Sequence, residues 1–329
     1  MTKRNSAGEP SNMAINAENS DEPVKTAENA GEPSNTATSA DGPSAKRQKM
    51  NNRYRFGNYN RYYGKRVGTK PNMRDPRMTL LPKSYFEHKS VLDIGCNVGF
   101  LTLQIAKEFE PRRIVGIDID DNLVGVARKN IKNYCENTEL EGKFPKSFTK
   151  KKHEPGRFDI KFPDNIWFRV ENYVVPEDHL LDSVTPEFDV IMAFSITKWI
   201  HLNWGDEGLK RFFRRAYRHL RPNGVFMVEP QEYKTYKKKS KLTPQMQENY
   251  KNIKFLPEHF RTYLENLEGN EGFKYIDTLN FKDDQPQPES EGFKRPILLF
   301  RKPYMPVKNG ASKSGAERVA EKATEEPEK

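Results

Sequence analysis

A buried strand pattern that ends in a glycine turn and restarts as a helix leaves this chain few folds. SVLDIG (90–95) is apolar without alternation, the pattern of a strand covered on both faces. Beyond Gly95, apolar side chains recur at 98, 101, 105 and 109, one face of a helix. The unit then repeats. RIVGIDI (113–119) reads as a second buried strand, and Asp121 to Tyr134 as a helix with Leu123, Val126, Ala127 and Ile131 inward. IWFRV (166–170) and FDVIMAF (188–194) are further strands. Leu209, Phe212, Phe213, Ala216, Tyr217 and Leu220 form the clearest helical stripe, with Lys210, Arg211, Arg214, Arg215 and Arg218 on its outer face. RPNG (221–224) stops that helix and VFMVE (225–229) resumes a strand. Such alternation predicts an α/β domain with a doubly wound, mainly parallel sheet. FKYID (273–277) and RPILLFR (295–301) come late with no long helix between them, and predict a C-terminal antiparallel hairpin.

The domain carries tails. Residues 1 to about 50 lack aromatics before Tyr54, and AGEPSN occurs twice there, at 7–12 and 30–35. Sequence of this kind cannot bury enough apolar surface to offset chain entropy, so 1–50 is expected to be disordered, and so is 305–329. The folded part spans 54–303, with the Lys-, Pro- and Glu-rich stretch at about 136–164 as a loop inserted before the third strand. Lys46, Arg47 and Lys49 suggest nuclear import, with cytoplasmic residence as the alternative. Lys and Arg number 56 against 46 Asp and Glu, a net charge of +10 that favours an acidic partner such as nucleic acid. Two cysteines, Cys96 and Cys135, exclude a disulfide-stapled scaffold and a four-cysteine zinc site. No apolar run reaches the roughly 18 residues that span a bilayer, and the N-terminus lacks a signal peptide's apolar core. The expectation is a soluble intracellular protein that binds no membrane. The six histidines show no metal-ligand spacing, so no metal is expected.

Gly95 and Gly99 permit a tight turn close to a ligand, just ahead of a helix N-terminus with unpaired N–H groups. Ligands of open α/β sheets bind outside the carboxyl ends of the strands. Asp118 closes the second strand, where a carboxylate can bind ribose hydroxyls. The pattern D-x-G-x-N-x-G is not G-x-G-x-x-G, so a pyrophosphate cofactor fits poorly and a nucleoside without phosphates fits better. Among common cofactors that points to S-adenosylmethionine. SITKWIHLNWGDEG (195–208) follows the fourth strand and reads as a strand-end loop. It gathers Lys198, Trp199, His201, Asn203 and Trp204 as a substrate pocket, the lysine supplying a cation and the indoles stacking faces. RYRFGNYNRYYGKR (53–66) and the run Lys234 to Lys241, with Tyr233 and Tyr236, mix cations and aromatics. That is the composition of a surface that pairs phosphates and stacks bases. Cys96 reads as packed or cofactor-facing rather than nucleophilic.

NYNRYYGKR (58–66), VLDIGCNVGFL (91–101), GIDID (116–120), FDVIMAFSITKWIHLNWGDEGLKRFFRRAYRHLRPNG (188–224), VEPQ (228–231) and EGFKRPILLF (291–300) together resemble the Bicoid-interacting-protein-3 family of RNA methyltransferases. The resemblance runs from about 54 to 303, and TKWIHLNWGDEGLKR is its most specific part. It implies a seven-strand class I S-adenosylmethionine-dependent methyltransferase fold and methyl transfer to the 5′-terminal phosphate of an RNA. It implies that Tyr62 and Arg77 contact the cofactor ahead of the sheet, and that Gly95, Cys96 and Asn97 form its turn. Asp118 and Ile119 resemble the ribose-binding strand end, and Asn172 with Tyr173 the adenine side. Phe194 occupies a cofactor-side position usually aliphatic in the family. A 7SK-like small nuclear RNA or another small RNA is implied as substrate, with a La-related protein raised as partner and the chain acting as a monomer.

A terminal phosphate has a second pKa near 6 and is mostly dianionic at pH 7, so it is already a nucleophile. The site has only to hold its oxygen in line with the methyl group. Lys198 is the first candidate for phosphate positioning, Tyr62 and His201 follow, and Arg77 could be shared with the cofactor. A ribose hydroxyl acceptor would require a base. Glu229 is the candidate for that role, although a strand-end hydrogen-bond partner is its plainer reading. Three functions stay open: methylation of an RNA 5′ γ-phosphate, methylation of a 5′ monophosphate on a small RNA or transfer RNA, and an RNA-binding scaffold. Intact Gly95, Asn97, Gly99 and Asp118 argue against loss of catalysis.

Overall fold

A computed structural model of the chain describes residues 54–59, 74–135, 160–270, 272–283, 287–288 and 290–304. Both tails with the Lys46–Lys49 cluster, Tyr62, and most of the 136–164 stretch lie outside the described residues. The described strands are β1 (Ser90–Ile94), β2 (Arg113–Asp118), β3 (Ile166–Val170), β4 (Phe188–Phe194), β5 (Leu220–Glu229), β6 (Lys274–Leu279) and β7 (Ile297–Arg301). They form one seven-stranded sheet in the order β3-β2-β1-β4-β5-β7-β6. The first five pair in parallel. The C-terminal hairpin is antiparallel, and its second strand, β7, is the one that joins β5.

Alternate residues of the central strands face opposite layers. Val91, Ile114, Val190 and Met192 pack toward α1 (Phe100–Glu108) and α2 (Asp121–Tyr134), meeting Leu103, Ile105 and Ala127. Leu92, Ile117, Ile191 and Phe226 face α3 (Thr197–His219) and its Leu209, Phe212, Phe213 and Ala216. Cover on both faces is the reason these strands read as continuous apolar runs. Phe213 is held from two sides, by Phe226 of the sheet and by Phe255 and Phe260 beyond it.

The segment expected to be a strand-end loop is instead the first half of α3, which is interrupted only at Gly205 (φ 64°, ψ −168°). The cap of this helix is tertiary. Ile196 offers no capping side chain, and Gln231, beyond β5, accepts from the Thr197 hydroxyl (2.9 Å) and the Lys198 N–H (3.0 Å). Gln231 also donates to the Ser195 carbonyl. A helix whose start signal sits 34 residues away from Thr197 has no local signature. The outer-face arginines are occupied as well. Arg211 and Arg214 pair with Asp178, Arg218 with Asp182 and Arg215 with Glu171. Among the described residues no helix is long and apolar enough to cross a membrane.

Candidate active site

A cleft opens at the carboxyl ends of β1, β2 and β4. The β1 turn passes through left-handed backbone at Gly95 (φ 79°), Asn97 (φ 54°) and Gly99 (φ 77°). A Cβ at Gly95 would lie 2.3 Å from Ile196 Cγ2, so glycine is needed there for both conformation and space. The turn is tied to β2 by one side chain. Asp118 accepts from the Asn97 N–H at 2.9 Å and from the Asp120 N–H at 3.0 Å. Burial drives its pKa up to about 6, against the pull of those N–H groups. Asp93, also in the cleft wall, is pushed to about 6 by burial while the Thr102 hydroxyl donates to it at 2.6 Å. Asp93 opens the D-x-G-x-N-x-G pattern but was not among the expected site residues, although a carboxylate inside an apolar strand was the available signal.

These groups suit a nucleoside cofactor. Asn97 lines the cleft, and among the described residues its buried Oδ1 has no hydrogen-bond partner, an acceptor left for a ligand donor. Asp93, Asp118 and Glu171 make the wall acidic, which repels a pyrophosphate and favours a cationic ligand. Arg77, the cation in the wall, is paired with Asp75 (2.7 Å) and Glu229 (3.0 Å), and its side chain is 3% exposed. S-adenosylmethionine, a nucleoside with a sulfonium charge and no phosphate, fits this set. Gly95, Cys96, Ile119, Asn172 and Phe194 all line the same cleft. The Cys96 thiol is buried and its pKa is raised by burial, so it is no thiolate nucleophile. Tyr173 also lines the cleft, but its hydroxyl meets His219 Nδ1 at 3.1 Å and its ring packs on Phe212. The hydroxyl therefore belongs to the core.

Glu229 is fully buried and accepts from Arg77, Arg295 (2.7 Å) and Ser195 (3.1 Å). With both oxygens engaged by arginines it is a structural acceptor, not a base.

The helical first half of α3 separates the residues expected to form one pocket. Trp199, Ile200 and Trp204 line the cleft. His201 does not: its side chain is 0% exposed, its Nε2 meets Asp206 Oδ1 at 2.6 Å, and its ring packs against Tyr236, Phe255 and Phe260. One helical step of about 100° turns it away from the substrate side, which removes it from phosphate positioning. Lys198 sits beside the cleft, its Nζ 5.3 Å from the Trp199 ring and 3.2 Å from Thr235 Oγ1.

The N-terminal segment was expected to stack bases, but its described rings are engaged with protein. Phe56 stacks on Trp204 (5.7 Å) and Tyr59 meets Trp199 edge-on (5.9 Å). Arg55 Nε donates to Asn203 Oδ1 (3.1 Å), and Asn58 donates to Asp120, the cap of α2. Phe56, Gly57 and Asn58 thus become part of the cleft wall. In the second basic run, Tyr236 is buried and Tyr233 stacks on Tyr250. Lys234, Lys237, Lys238 and Lys241 of that run are exposed.

Residues 188–302 match the sequence model described as Bicoid-interacting protein 3, and residues 92–226 match one for a methyltransferase domain. The U6 snRNA methylphosphate capping enzyme Amus of Drosophila melanogaster is 41% identical over 251 residues, covering 76% of this chain and 75% of that protein. The chain belongs to the Bicoid-interacting protein 3 family. The human 7SK snRNA methylphosphate capping enzyme is 39% identical over 296 residues, which is 80% of this chain but 42% of the human protein. The chain thus spans about two fifths of that relative's length. A shorter match, 30% over 160 residues, relates it to the mouse RNA 5′-monophosphate methyltransferase, with 44% of this chain and 47% of that protein covered. For this member of the Bicoid-interacting protein 3 family, the methyltransferase match covers the Gly95–Asp118 cleft, while the family match covers α3 and everything after it through β7.

Proposed function

We propose that this chain is an S-adenosylmethionine-dependent methyltransferase acting on the 5′-terminal phosphate of RNA, with the γ-phosphate of a noncoding, 7SK-like small nuclear RNA as its acceptor. The observation that carries this is a contrast of charge: the cleft wall is acidic, while at its Trp199 the ammonium groups of Lys198 and Lys239 lie 5.3 and 5.8 Å from the ring. S-adenosylmethionine supplies an electrophilic methyl group when bound. The acidic wall of Asp93, Asp118 and Glu171 holds a cation in preference to an anion. Lys198 attracts and orients the phosphate oxygens. No proton has to be removed from a phosphate dianion, which agrees with the engagement of Glu229 by two arginines. A small nuclear RNA substrate would place the chain in the nucleus, consistent with the Lys46–Lys49 cluster; imaging a tagged chain tests this. Capping relatives bear on neither a La-related partner nor a monomeric state, and both stay implications of the family resemblance.

The decisive assay uses labelled S-adenosylmethionine and one noncoding RNA with a 5′ triphosphate, monophosphate or hydroxyl. Label on the triphosphate form supports the proposal. Label on the monophosphate alone selects small-RNA chemistry, and label on the hydroxyl form places the acceptor inside the RNA. Lys198→Ala is expected to lower methyl transfer about 10- to 100-fold with cofactor affinity unchanged by calorimetry; equal loss of both would remove Lys198 from the phosphate role. His201→Ala should do the reverse. It should lower the thermal midpoint through lost packing, while turnover per folded molecule stays close to that of the parent.

A further inference from the structure

Lys239 lies in a run of lysines that look alike in sequence, yet the fold treats it differently. The short helix α4 (Tyr236–Ser240) is anchored by buried Tyr236 and Ser240, which leaves Lys237 and Lys238 exposed and turns Lys239 inward. Its Nζ donates to the Tyr59 hydroxyl at 2.6 Å and lies 4.7 Å from the centre of that ring. The same ammonium is 5.8 Å from the Trp199 ring, and the Lys198 ammonium is 5.3 Å from it. Two cations from separate elements therefore converge on one indole that lines the cleft. Among the described residues Lys239 forms no ion pair with a carboxylate, whereas Lys234 in the same run pairs with Glu232. Two ammonium groups placed about one ring suit a multiply charged anion, whose phosphates can each accept from a different cation.

We propose that Lys239, held by Tyr59, is a specificity-determining residue that binds the inner phosphates of a 5′ triphosphate while Lys198 holds the terminal one. This rests on the 5′-phosphate reading above and adds the choice between acceptors. A monophosphate end offers one phosphate group, which Lys198 alone can hold. A triphosphate offers a chain of them that extends to a second ammonium. The Tyr59 hydroxyl fixes the lysine before the substrate arrives, so little rotamer entropy is lost on binding.

The test compares kcat/KM of the full chain and its Lys239→Met variant on one RNA carrying either a 5′ triphosphate or a 5′ monophosphate. The parent should prefer the triphosphate. In Lys239→Met that preference should fall about tenfold or more, chiefly through activity on the triphosphate, while affinity for S-adenosylmethionine is unchanged. Lys239→Arg should restore most of the preference, which a purely packing role would not predict. Tyr59→Phe keeps the ring and removes the hydroxyl; it should give a smaller loss in the same direction and serves as the second variant if Lys239→Met does not fold. Equal losses on both RNAs would reduce Lys239 to a general RNA contact and overturn the proposal, as would an unchanged preference. A parent enzyme active only on the monophosphate overturns the subsite and leaves 5′-phosphate methylation standing. A parent that labels neither phosphorylated RNA overturns both.

Discussion

Asp118→Ala is expected to weaken S-adenosylmethionine binding by a factor of about 100 or more while the domain stays folded. A hydrogen bond to a charged group contributes about 1.5–3 kcal/mol, and a carboxylate at the end of β2 can accept from two ribose hydroxyls. Its loss also leaves the Asn97 and Asp120 N–H groups without their acceptor, which loosens the turn that shapes the cleft. The fold tolerates the change because the carboxylate is held at a cost in the absence of ligand. Burial raises its pKa to about 6. Calorimetry and the thermal midpoint separate the two effects, and an affinity within threefold of the parent would remove Asp118 from the cofactor site.

The sign of the pH dependence follows from the same shift. The folded pKa of Asp118, about 6, lies above its ordinary value of 3.8, and Asp93 behaves alike. A carboxyl that is easier to protonate when folded contributes stability that is fully present below about pH 4 and lost as pH rises through about 6. Cofactor affinity runs the other way, because the ribose hydroxyls need the carboxylate. It should fall as pH drops below about 6. His201 and His219, whose pKa values are lowered chiefly by burial, oppose the carboxylates in overall stability. The difference between the parent and Asp118→Asn therefore isolates the Asp118 part. In that difference, the apo parent should gain stability as pH is lowered from 7.5 to 5.5, and a flat difference would contradict the assignment.

Glu229→Gln should destabilise the domain by about 3 kcal/mol, because breaking a buried ion pair leaves charge uncompensated. At about 2–4 °C per kcal/mol for a domain of this size, the thermal midpoint should drop by roughly 6–12 °C. The carboxylate bridges Arg77 and Arg295, both side chains at most 15% exposed, and also holds the Ser195 hydroxyl. Ser195 sits at φ 60° two residues before α3, so the network fixes a strained residue that lines the cleft. Arg77 keeps its pair with Asp75 in the variant, which should prevent complete unfolding. The measurement that distinguishes this from base catalysis is turnover well below the variant's melting range. A general base would lose activity by orders of magnitude there, with its pH profile flattened, whereas a structural acceptor loses mainly thermal stability.

Strands β1, β2 and β4, the turn from Gly95 to Gly99, and Asp118 at the end of β2 were all legible in the sequence, because each is specified by neighbours a few residues away. A short apolar run with no polar face, bounded by turn residues, reads as a strand covered on both sides. A glycine pair between strand and helix can only be a close turn. The C-terminal hairpin was legible for the same reason, although the insertion of β7 beside β5 was not, since strand order is decided by which faces must be covered. The family motif around Trp199 was equally visible, and its conformation was not. Gln231 caps α3 from across the sheet, and the helical register then sends Trp199 to the cleft and His201 into the core. The sequence placed the arginines on the outer face of α3, but only packing brings Asp178, Asp182 and Glu171 against them. Lys239 was one lysine among several until buried Tyr236 turned it toward Tyr59 and Trp199. Sequence by itself determined the central strands, the cofactor turn and the family, because those rest on local periodicity and on short motifs. Tertiary structure alone decided which charges are paired and which face the cleft, because that depends on partners distant in the chain that only packing brings within a few ångströms.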